Sequence, residues 1–147
     1  MPAVCNLRSP YEKVGGLVYF GRMIDKIRLH SAGVLPEAYQ KNYGADAASD
    51  GRCCRFLGIT HADLGKRVAN GLDEDSLLAW ARETGADRSD EEVEVWNTFM
   101  MKRGWRDATT ANLREAVLGD GLDPALILTR FDYLDVDEGR PLRSPAE

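Results

Sequence analysis

The 147-residue chain has only two histidines and three cysteines, with no Cys-x-x-Cys pair, no His-Glu-x-x-His and no acidic loop in EF-hand order. Those absences remove the usual sequence frames for zinc, dithiol redox work and calcium. A Ser–His–Asp triad would need a nucleophile on a strand-to-helix turn, and the sequence offers none. No apolar run approaches the roughly 18–20 residues that span a bilayer. The opening MPAVCNLRSP lacks the apolar stretch of a signal peptide. The expected compartment is therefore the cytoplasm, with Cys5, Cys53 and Cys54 reduced and no metal or cofactor. An excess of basic charge is missing too. Nineteen Lys and Arg face 24 Asp and Glu, giving a net charge of −5 and a pI near 5.1. Nucleic-acid binding wants an electropositive face, so that class is disfavoured. Strand-like alternation and internal repeats are also absent.

What is there reads as a folded helical domain. Hydrophobic residues make up 44% and charged residues 29% of the chain, which separates it from disordered sequences. A chain of this length buries roughly 70% of its unfolded surface without metal or disulfide. Ser9-Pro10-Tyr11-Glu12 has the order of a capping box with proline at the first helical position. It predicts a helix over 10–31, with Leu17, Phe20, Met23, Ile24 and Ile27 on one face. Gly15-Gly16 weakens its first turns, marking either a close backbone crossing or an irregular start. Thr60, Asp73, Ser89 and Asp123 open further helices, and 107–118 reads as another. Short helices fit 37–42 and 52–57 within an otherwise irregular, glycine-marked segment, 33–58. The expectation is an all-α single compact domain of about six helices around a long N-terminal helix. Residues 1–9 form an arm, 10–137 the helical domain and 138–147 a flexible polar tail.

The densest polar cluster lies on that first helix. Arg22, Asp25 and Lys26 are spaced i, i+3, i+4 and share a face opposite the apolar stripe. One reading is a solvated face laced by weak ion pairs. The other is an anion pocket, in which Arg22 and Arg28 grip a carboxylate or phosphate. Asp25 would then be the base or the orienting group, and Lys26, crowded by cations, an acid, base or imine-forming amine. His30, one turn further on, is placed either to transfer protons or simply to oppose the helix dipole. The 33–58 segment could fold over this face as a lid, bringing the Tyr43 phenol to it.

Leu7 to Arg28, LRSPYEKVGGLVYFGRMIDKIR, resembles the opening of an uncharacterised bacterial family of small proteins, domain of unknown function 5069. The shared pattern is a Pro-led start, a Gly-Gly pair and Arg-x-x-Asp-Lys-x-Arg, here Arg22, Asp25, Lys26 and Arg28. The resemblance continues through Asp50, Phe56-Leu57-Gly58-Ile59, Trp80, Trp96-Asn97 and the ending from Phe131 to Arg140. It covers nearly the whole chain and implies a helical fold and a candidate site, but no reaction. Cys53 and Cys54 depart from the family pattern, which is aromatic or aliphatic there. They read as small core residues despite flanking Arg52 and Arg55.

Trp80, Trp96 and Trp105 read as core. Asp132, Asp135, Asp137 and Glu138 read as ion-pair partners for Arg130 and Arg140 rather than as a calcium site. His61, in a first helical turn, has no metal-like companion in the sequence. The function expected is binding of a small anionic carboxylate or phosphate metabolite. If the protein is an enzyme, it is a metal-independent lyase, isomerase or hydrolase using acid–base chemistry. The alternative is a non-catalytic ligand-sensing or protein-interaction module. Partnership with a membrane is not expected, and a homodimer is left open.

Overall fold

A computed structural model describes residues 6–143. Eight helices and one tiny hairpin account for its regular structure among those residues. These are β1 (Lys13–Val14), β2 (Leu17–Val18), α1 (Phe20–Ser31), α2 (Glu37–Gln40), α3 (Ser49–Leu57) and α4 (His61–Ala69), followed by α5 (Glu74–Thr84), α6 (Asp90–Lys102), α7 (Thr110–Gly119) and α8 (Arg130–Asp137). The chain is mostly helical, as its patterning predicts, with α1 running through the middle.

The long first helix is shorter than expected. Ser9-Pro10-Tyr11-Glu12 has the right residues for a helix start, yet it makes a turn. The Glu12 amide donates to the Ser9 carbonyl at 3.1 Å, and the Ser9 hydroxyl accepts from the Tyr11 amide. Gly15 and Gly16 then take φ of 58° and 82°. Two consecutive positive φ values suit the tight turn of a hairpin and break a helix. Val14 pairs with Leu17 across that turn, and Asn97 of α6 clamps it. The Asn97 side chain accepts from the Val18 amide at 3.1 Å and donates to the Gly16 carbonyl at 2.8 Å. Only from Phe20 does the helical periodicity govern the backbone.

Three of the other helix starts follow the capping chemistry read from the sequence. Thr60, Asp73 and Ser89 each accept from the backbone amide three residues on, and Glu92 completes a capping box with Ser89. Thr129, rather than Asp123, caps the last helix. Asp107 organises a turn before α7 by accepting from the Gly104 and Thr109 amides. The core forms where Phe20, Met23, Ile24 and Ile27 of α1 meet Leu64, Leu77, Met100 and Phe131. Cys53 and Cys54 are buried, free thiols within it; Cys5 lies outside the described residues. Trp96 is core and Trp80 half-buried against it, but Trp105 is exposed, with Arg106 over its ring. No helix among the described residues is long and apolar enough to cross a membrane.

Candidate functional site

The face of α1 opposite its apolar stripe is not solvated. Arg22 is 2% exposed and Lys26 4%, because two parts of the chain far away in sequence close over them. The first is the C-terminal end of α8. Glu138, expected to open a mobile tail, is 1% exposed and takes both arms of the Arg22 guanidinium at 2.8 and 2.6 Å. Arg140 and the Tyr39 hydroxyl donate to the same carboxylate. Burial alone would raise the Glu138 carboxyl, but the hydrogen bonds and charge of Arg22 and Arg140 outweigh it and hold it below the usual range. The second cover is the 33–58 segment. It delivers Asp50, wholly buried, to Lys26, whose Nζ lies 3.1 Å from both carboxylate oxygens.

Asp50 is the hub of this end of the protein. It also accepts from the Tyr19 hydroxyl at 2.7 Å and the Gly44 amide at 2.9 Å. The segment reaches it because α3 begins against its own preceding loop. A Cβ at Gly51 would lie 2.5 Å from the Ala45 carbonyl oxygen, so only glycine lets that loop close down. Burial lowers the Lys26 ammonium below its ordinary value, against the attraction of Asp50. Burial likewise pushes the Tyr19 phenol well up, with the Asp50 charge adding to it. Tyr19 holds its place at a cost. It precedes α1 with φ of 70°, a left-handed conformation that a non-glycine residue adopts for about 1–3 kcal/mol.

Above Lys26 and Tyr19 lies a pocket of about 300 Å³, at the small end of the range for metabolite sites. Its lining includes Arg52 from α3, Arg103 from the end of α6 and Arg130 from the start of α8. Backbone bonding fixes two of these together, since the Arg130 amide donates to the Arg103 carbonyl at 2.9 Å. None of the three forms an ion pair among the described residues, and no carboxylate side chain among them lines the pocket. Burial, and behind it the charges of Arg103 and Arg55, hold the Arg52 guanidinium below its ordinary range. The first turn of α3 also borders the pocket through Ala48 and Ser49, and no side chain caps it. Amides at a helix start favour anions, although the Gly51 amide here is already taken by the Ala45 carbonyl at 3.2 Å.

The residues singled out from the sequence are thus divided between places. Arg22 and Lys26 reach the pocket, although the Arg22 fork is occupied by Glu138 and is not free to grip a ligand. Asp25 faces the other way. Its carboxylate accepts from the Arg8 amide, Nε and Nη2 at 2.9, 2.9 and 3.0 Å, so the expected Arg22–Asp25–Lys26 contact does not form. Arg28 stands on that same far side, 3.8 Å from Glu74 and half-exposed. His30 and Tyr43 do come together, stacked at 4.0 Å and 9°, and His61 meets the Tyr43 ring edge-on at 4.7 Å. This aromatic group lies behind Asp50 rather than in the pocket. The His61 Nε2 is buried without a hydrogen-bond partner, 3.8 Å from Asp50, and burial lowers its ionisation below the ordinary value.

Sequence reasoning missed Tyr19, Asp50, Arg52, Arg103 and Arg130 as one site. Asp50 carried a signal through the family resemblance, and Arg52 through its place beside the cysteines. Arg103 and Arg130 carried none. Burial lifts the Cys53 thiol and pushes Cys54 up to about 12, which leaves both as inert core groups.

The fold and site together define an all-α domain with an arginine-rimmed pocket over a buried lysine. A family model matches residues 5–140, and the chain belongs to that family, the domain of unknown function DUF5069. No curated protein matches the chain.

Proposed function

We propose that the protein binds a small anionic metabolite, a carboxylate or phosphate, in the pocket lined by Arg52, Arg103 and Arg130, and transforms it by metal-free acid–base chemistry. One observation carries this reading: three arginines, none of them in an ion pair among the described residues, line one small pocket in a chain whose net charge is −5. The Arg52 guanidinium is repelled by Arg103 and Arg55, and an arriving anion relieves that repulsion. Planar guanidinium forks suit carboxylate and phosphoryl oxygens. Lys26 and Tyr19 in the same lining supply an amine with lowered basicity and a phenol that stays protonated, joined through Asp50. Lyase, isomerase or metal-independent hydrolase chemistry fits such groups, in a cytoplasmic setting. A ligand sensor would use the same pocket without turnover, so the two readings part on whether bound ligand is chemically changed.

The test is thermal unfolding with inorganic phosphate, pyrophosphate and citrate. At a hundredfold excess over Kd, a ligand specific to the native state adds about 2.7 kcal/mol, a rise of several degrees. Arg103→Gln is expected to lose most of that rise while the ligand-free protein melts no earlier. Equal responses in both proteins would overturn the reading.

A further inference from the structure

The anion-binding reading leaves open what Lys26 does. The ordinary role of a buried lysine is to neutralise a buried carboxylate, and Asp50 has one beside it. Asp50 does not depend on Lys26 alone, however, because Tyr19 and the Gly44 amide also donate to it. Lys26 lines a pocket rather than lying wholly in packed core, and the neighbouring Arg22 charge disfavours a further positive charge on it. The Tyr19 phenol stands 3.5 Å from Nζ and 2.7 Å from Asp50, held there by a strained backbone. An amine, an acid and a carboxylate that passes protons between them are the parts needed to condense an amine with a carbonyl.

We infer that Lys26 captures an aldehyde or ketone group of the anionic ligand as an imine, with Tyr19 as the acid and Asp50 as the proton carrier. The inference rests on the anion-binding reading and names the ligand class within it, a small carbonyl compound bearing a carboxylate or phosphate. The neutral Nζ adds its lone pair to the carbonyl carbon, a C–N bond forms and the carbonyl π pair moves onto oxygen. Asp50 takes the proton that nitrogen sheds, Tyr19 gives its own to the oxygen, and the 2.7 Å bond between them restores Tyr19. The hydroxyl then leaves as water, with the second nitrogen proton passing along the same route. One amine and one carbonyl become one imine and one water, and nothing is oxidised or reduced. Burial of the ammonium assists by making the Lys26 proton easier to give up.

Glyoxylate is added to the intact protein with sodium cyanoborohydride, and peptides are mapped by mass spectrometry. The expected result is a carboxymethyl group concentrated on Lys26, despite its burial, over the exposed Lys13, Lys41, Lys66 and Lys102. Inorganic phosphate should suppress the Lys26 adduct and spare the surface adducts. Lys26→Arg should lose it while the fold persists, and Tyr19→Phe should slow it. Adducts spread over the four surface lysines with Lys26 unmodified overturn the inference, a result the wild-type protein gives even if a variant fails to fold. If phosphate stabilises the protein but Lys26 stays unmodified, the imine falls and the anion pocket stands. If phosphate has no effect but uncharged glycolaldehyde still labels Lys26, the imine stands and the arginine rim loses its assigned role.

Discussion

Helix α1 presents charge on two sides, and the two sides are built differently. On one, Arg8 and Arg28 meet Asp25 and Glu74, two cations against two anions, in a cleft that water reaches. On the other, Arg22 and Lys26 are matched by Glu138 and Asp50 in the interior, and Arg52, Arg103 and Arg130 line the neighbouring pocket without an ion pair among the described residues. A chain with surplus acidic residues had carboxylates available for that lining. Paired charges suit a stable surface, whereas cations outside ion pairs around a cavity suit the proposed anion. The difference is the one expected if the Asp25 side does structural work and the Lys26 side serves the proposed anion.

The sharpest way to break that comparison is to remove one carboxylate from each side. Glu138→Ala leaves Arg22 buried with only the Arg8 carbonyl as acceptor, and is expected to cost about 3–5 kcal/mol in urea denaturation. Glu74→Ala, on the watered side, is expected to cost under about 1 kcal/mol. Equal losses would mean that the two sides do not differ in burial.

Acid should separate them next. Glu138 titrates below the usual carboxylate value in the folded protein, so its stabilisation is present above about pH 4.5 and is lost as pH falls through the lower folded value. His61 is a base with a lowered folded value. It holds fewer protons folded than unfolded, and stability therefore falls as pH drops below about 6.5 toward that value. Two descending limbs are expected in stability against pH. Glu138→Gln should shrink the lower limb, to which Asp73, Glu74, Glu92 and Asp107 also contribute, and His61→Gln should remove the upper. A profile with both limbs unchanged in both variants would contradict these assignments.

The smallest effect concerns the unmatched arginines themselves. Arg52→Gln should leave the ligand-free protein as stable or raise it by about 0.5 kcal/mol, because it relieves repulsion from Arg103. Arg28→Gln should lower stability by about 0.5 kcal/mol or less through its long contact with Glu74. Opposite signs in paired thermal melts would sharpen the contrast between the two sides. A loss of stability in Arg52→Gln would mean that this arginine has a structural partner after all.

Much of the fold was legible because helix starts are local chemistry. Thr60, Asp73 and Ser89 satisfy amides three residues away, and that spacing is written in the sequence. The same logic misled at Ser9-Pro10-Tyr11-Glu12. A capping order states what a turn of backbone tolerates, and Gly15-Gly16 with Asn97 81 residues on favoured a hairpin. The candidate site was half legible. Arg22 and Lys26 stood out as a charged cluster on an otherwise apolar helix, and the family motif repeated them.

The sequence by itself determined that this is an all-α chain with an amphipathic helix bearing a cluster of charges, since periodicity and caps act over a few residues. Only the tertiary structure decided which charges meet. Glu138 lies 116 residues from Arg22 and Asp50 24 from Lys26, and local spacing instead favoured Asp25 as the shared partner. Burial made the choice, because a desolvated cation needs a carboxylate on its own side of the helix. Arg8, entering from outside α1, had already claimed Asp25. The three arginines lining the pocket come from α3, the end of α6 and the start of α8. No local rule joins them; the packing of those elements does.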